Sequence, residues 1–110
     1  MNVKELREKD VLRLAERQNP DPTPADIEEA RYTMRLFYNF AAAYYKSFML
    51  DNDRRASQAA RDAAEAREEQ THKRAKEALA KYNLRISCPG LYPIIDEANG
   101  ANFTYGHYYG

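Results

Sequence analysis

The groups with the greatest chemical capacity in this 110-residue chain lie in its last quarter, where Cys88, His107 and the carboxylates Asp96 and Glu97 follow one another. A thiolate, a base and an orienting group are the parts of a nucleophilic site, so a fold that gathered them would make a thiol enzyme centred on Cys88. Cys88 stands, however, between a short apolar run and Pro89-Gly90, with no catalytic signature around it. A cysteine in that setting serves more often as a small hydrophobe. Glu68 and His72, one helical turn apart, offer two metal ligands on one face. A zinc site needs three or four, and the sequence nominates no others, so neither a metal nor any other cofactor is expected. Lys73, Arg74, Lys76 and Lys81 form a cationic cluster that could follow the phosphates of a nucleic acid. Glu77 interrupts it, Asp62, Glu65, Glu68 and Glu69 precede it on the same helix, and cations near a helix end also answer the macrodipole.

Nine tyrosines are the clearest departure from an ordinary composition. Tyr32, Tyr38, Tyr44 and Tyr45 share one segment, which implies core rings with hydroxyls reaching water, as for Tyr44. Tyr92, Tyr105, Tyr108 and Tyr109 are different, because the last three alternate with small or polar residues beside Gly106 and Gly110, at a chain end with little mass to bury them. Rings beside adaptable backbone suit recognition, so these four are the predicted partner-binding residues.

Charge nominates no partner: Lys plus Arg and Asp plus Glu each total 17, for a net charge of zero. One cysteine excludes an internal disulfide framework and fits a reducing compartment, and the charged N-terminal residues carry no apolar signal core, so the expectation is a cytoplasmic protein. Asn39 and Lys46 interrupt the longest apolar run, which is too short for a membrane span of about 20 residues. Asn102-Phe103-Thr104 matches a glycosylation sequon by chance.

Positioning falls to helices. Residues 24–50 place Ile27, Ala30, Met34, Phe37, Ala41, Tyr44 and Phe48 on one stripe and Leu36, Phe40, Ala43 and Leu50 beside it, a face too wide for one neighbour. This helix is therefore central, with Glu28, Arg31, Arg35, Asn39 and Lys46 as its wet edge. Thr23, Pro24 and Asp26 give it a strong start. Before it, residues 2–18 read as an amphipathic helix that restarts at Asp10 as a cap, ended by three prolines in five positions. The connector is too stiff and the second helix too aromatic for a DNA-reading helix-turn-helix. After it, Asp51-Asn52-Asp53 marks a break, with Asp53 capping an alanine-rich helix over 54–82; the alternative is one uninterrupted rod. Asn99-Gly100, between Tyr92–Ile95 and Phe103–Tyr109, predicts a hairpin turn, with Pro93 confining its strand to an edge.

The expected fold is thus mainly α, a single domain with a three-helix core, a long antiparallel helical hairpin and a small C-terminal β-hairpin or extended tail over 84–110. The expected function is non-enzymatic binding of a protein partner, as an adaptor or an inhibitor. Its size suits a phage or mobile-element accessory protein, including one that inhibits a host defence enzyme. The alternatives are a nucleic-acid-binding module using Lys73, Arg74, Lys76 and Lys81, and a thiol enzyme using Cys88. The wide apolar face of the central helix further predicts a homodimer.

Overall fold

The structure, a computed structural model, describes residues 8–90 and 92–97, the last through its backbone alone. Its elements are α1 (Glu8–Gln18), α2 (Pro24–Asp51), α3 (Gln58–Ala80), β1 (Leu84–Ser87) and β2 (Ile94–Glu97).

The start of α2 follows from its cap. The Asp26 amide donates to Thr23 Oγ1 at 3.2 Å and the Thr23 amide donates to the Asp26 carboxylate at 2.9 Å, a reciprocal capping box with proline in the first turn. Asn19 Nδ2 adds a third bond to this carboxylate at 3.1 Å, which anchors the α1–α2 connection. The Thr23 amide first, then Asn19, then the Thr23 side chain hold Asp26 below its ordinary pKa.

The middle helix is central, as its width requires. Ala30, Met34, Phe37 and Tyr38 share one core cluster with Val11, Leu14 and Ala15 of α1. Another side of α2 meets α3 in antiparallel order: Thr33 reaches Tyr82, the Phe40 ring lies 4.9 Å from that of His72, and Lys46 and Leu50 face Ala63 and Arg67. A hairpin, not a rod, is the result. Leu79, with no exposed surface, closes the core against Ala30 and Met34. The alanines of α3 allow this close approach, while Thr33 and Thr71 satisfy their buried hydroxyls by bonding carbonyls within their own helices.

Two expectations are corrected. Helix α3 begins at Gln58 behind Ser57, whose hydroxyl accepts from the Ala60 amide at 3.1 Å. Asp53, the predicted cap, instead shapes the turn: its carboxylate accepts from the Arg55 amide, and its carbonyl accepts from Ala56 and from the Arg61 guanidinium at 2.7 Å. Asp10 lies inside α1, where it cannot serve as its cap, and is buried. Strand β2 pairs with the strand before it, Ile94–Glu97 against Leu84–Ser87, with Ile86 opposite Ile95, while the pairing predicted with Phe103–Tyr109 lies outside the described residues. Pro89-Gly90 lies in the connection, Pro93 is buried just before β2, and Asn99-Gly100 lies outside the described residues.

The C-terminal end of α3 fixes where this small sheet goes. Asn83 takes a left-handed φ of 57°, which asparagine tolerates, and the chain leaves the helix into β1. Arg17 Nε donates to Tyr82 O at 2.6 Å and Gln18 Nε2 to Lys81 O at 2.9 Å, so side chains of α1 bond the carbonyls of the turn that follows the third helix. Leu84 and Ile95 then complete the common core.

Candidate functional site

Cys88 lies at the surface in the hairpin connection. Crowding around its sulfur and, second, the charge of Glu68 push its pKa up, whereas a nucleophilic cysteine needs its thiolate favoured. The predicted orienting group is occupied elsewhere, because the Asp96 carboxylate accepts from Ser87 Oγ at 2.6 Å. His107 lies outside the described residues, as does the side chain of Glu97. The other imidazole, His72, packs against Phe40, and among the described residues no three His, Cys, Asp or Glu side chains converge as metal ligands.

The cationic cluster is close in sequence and divided in space. At 100° per residue, Lys73, Arg74 and Lys76 fan across more than a third of the circumference of α3, and Lys81 is past its last turn.

The tyrosines divide as well. Tyr38 and Tyr82 are core residues. Tyr44 is half-buried, and its hydroxyl donates to Gly90 O at 3.0 Å; it ties the hairpin connection to α2 where the sequence suggested a hydroxyl in water. Burial, then Cys88 and Glu68, raise its pKa. Tyr92, a predicted binding residue, is half-buried and stacks on Tyr45 at 5.7 Å between centroids and 6° between planes. Tyr105, Tyr108 and Tyr109 lie outside the described residues.

Two features escaped the sequence reading. The first is an apolar ridge at the C-terminal end of α2: Phe48 and Met49 are 44% and 50% exposed, beside the stacked Tyr45. Sequence spacing placed Phe48 on a stripe to be buried, but among the described residues it stands exposed. The second is a groove of about 290 Å³ along the α2–α3 seam, lined by Ala43, Lys46, Leu50, Ala60, Ala63, Ala64 and Arg67. The hairpin connection lies against the other flank of this seam, where Tyr44 meets Gly90 and feels Glu68. No helix among the described residues is long and apolar enough to cross a membrane.

No family model, curated protein or solved structure matches the chain.

Proposed function

We propose that this chain is a small non-enzymatic protein-binding module, an adaptor or an inhibitor, which takes its partner on aromatic and large apolar side chains. The observation that supports this reading is the exposed ridge of Tyr45, Phe48 and Met49, continued by Tyr92 across a parallel ring stack. Large apolar side chains in one line on an otherwise charged surface favour association, and stacked tyrosines offer a rigid anchor at low entropic cost. Tyr105, Tyr108 and Tyr109 add rings from the C-terminal segment to the same proposal. An inhibitor carried by a phage or mobile element against a host defence enzyme is its sharper form.

The test is affinity capture from the native host followed by mass spectrometry, with three baits: the full chain, the chain truncated after Ala101, and the Phe48→Ser, Met49→Ser double variant. A partner held by the full chain and lost from the truncated or the double variant, each with intact helical circular dichroism, supports the proposal. Retention of the same partner by both variants would overturn it. The same ridge supports self-association, so light scattering at micromolar concentration is expected to show a homodimer; a monomer alone would remove that part.

A further inference from the structure

We infer that the open flank of the α2–α3 seam is a docking groove for an acidic amphipathic helix of a partner protein. The inference rests on the protein-binding reading and adds to it a second surface and the chemistry of what binds there.

The floor of the groove is apolar and small. Ala43, Ala60, Ala63 and Ala64 bring two helical backbones close and leave about 290 Å³ between Leu50 and the aliphatic stems of Lys46 and Arg67, room for one or two large aliphatic side chains. Both rims are cationic. Lys46 rises from α2 and Arg67 from α3, on opposite sides of the same cleft. Helical spacing extends both rims: Arg35 precedes Lys46 by eleven residues, just over three whole turns, and Arg74 follows Arg67 by seven, almost two. All four side chains are exposed, and none makes an ion pair among the described residues.

Most carboxylates stand elsewhere. By the same spacing Asp62, Glu65 and Glu69 lie on the outer side of α3, and Glu68 turns to Tyr44 and Cys88 on the flank held by the hairpin. Glu28, two turns before Arg35 on the same edge of α2, and Glu77, one turn after Arg74 on α3, end the basic strip there. On a chain of zero net charge, a groove with four cations that have no ion pair among the described residues is a local polarity that an acidic partner complements.

The occupant follows from the combination. Two antiparallel helices with a shallow alanine seam present the surface on which a third helix packs, its apolar side chains entering the gap and its flanking residues meeting the rims. The rim from Arg35 to Lys46 spans about 16 Å, so an engaged helix needs roughly three turns. A single-stranded nucleic acid would also be drawn to four cations, but it binds through stacking rings, and no residue that lines the groove is aromatic.

The test uses the full chain and two synthetic helical peptides with the same leucine stripe, one flanked by glutamates and the other by lysines. Fluorescence anisotropy is expected to show the acidic peptide binding at least ~10-fold more tightly. The Lys46→Glu, Arg67→Glu double variant is expected to abolish that preference, and Ala63→Leu, which fills the groove from an exposed position, to weaken the acidic peptide while circular dichroism stays unchanged. Equal binding of the two peptides, no binding of either at millimolar concentration, or indifference to both variants would overturn the inference. So would tighter binding of a single-stranded oligonucleotide of equal charge. If the peptides fail while truncation after Ala101 still abolishes partner capture, the groove assignment falls and the protein-binding reading stands.

Discussion

Replacing Leu79 by alanine tests the helical hairpin at its most buried joint. Leu79 has no exposed surface and belongs to the cluster that joins Val11 and Leu14, Ala30 and Met34, and Leu84 and Ile95. The substitution removes three buried carbons, worth ~2.4 kcal/mol at about 0.8 kcal/mol each, and leaves a cavity that neighbours from four elements cannot all close. A loss of about 3 kcal/mol is therefore expected. In urea, followed by far-ultraviolet circular dichroism, the midpoint should fall with the slope unchanged, and the thermal midpoint should drop by about 12 °C or more. Leu12→Ala serves as the control, since Leu12 is 45% exposed and should cost less than ~1 kcal/mol. Equal small effects from both substitutions would refute the packing argument, because Leu79 would then project away from α2.

Three further outcomes follow from particular contacts. Ser57→Ala removes the cap of α3 and should cost about 1 kcal/mol in the same denaturation assay; no loss would mean that the helix starts elsewhere. The Cys88 thiol should react with iodoacetamide at pH 8 more slowly than free cysteine and regain the ordinary rate in denaturant, and faster alkylation in the folded protein would restore the thiol-enzyme reading. Asp26 is depressed below its ordinary value of 3.8 in the folded protein, so its contribution is complete above that value and fades as pH falls through the lower folded one; Asp26→Ala should flatten the acid limb of stability against pH, and an unchanged limb would contradict the capping geometry.

What could be read from the sequence was whatever depends on neighbours along the chain. The entry to α2 is one such feature, because Thr23, Pro24 and Asp26 complete their bonds within four residues. The start of α3 was ambiguous for a local reason: Asp53 and Ser57 are both competent caps, and the choice is made by Arg61, which reaches back to the carbonyls of Leu50 and Asp53. The pairing of β1 with β2 was hidden because four residues, Leu84–Ser87, carry little strand signal until the α3 end and the core place Leu84. The groove depends on how two helices are rotated about each other. Lys46 and Arg67 are 21 positions apart, whereas Lys73, Arg74 and Lys76 are adjacent in sequence and point apart on one helix.

The grip of Arg17 and Gln18 on the carbonyls of Lys81 and Tyr82 makes the turn that closes α3 a shared possession of two distant segments. A helix end normally frays first, but this one is held by α1, and β1 starts two residues after Tyr82. In amide exchange, α1, the end of α3 and the small sheet are therefore expected to open as one cooperative unit, and the first turns of α3, held mainly by alanines and the Arg61 staple, to exchange on their own. The tip of the helical hairpin, which carries the groove and the apolar ridge, can thus adjust its backbone without loosening the joint at the opposite end of the molecule.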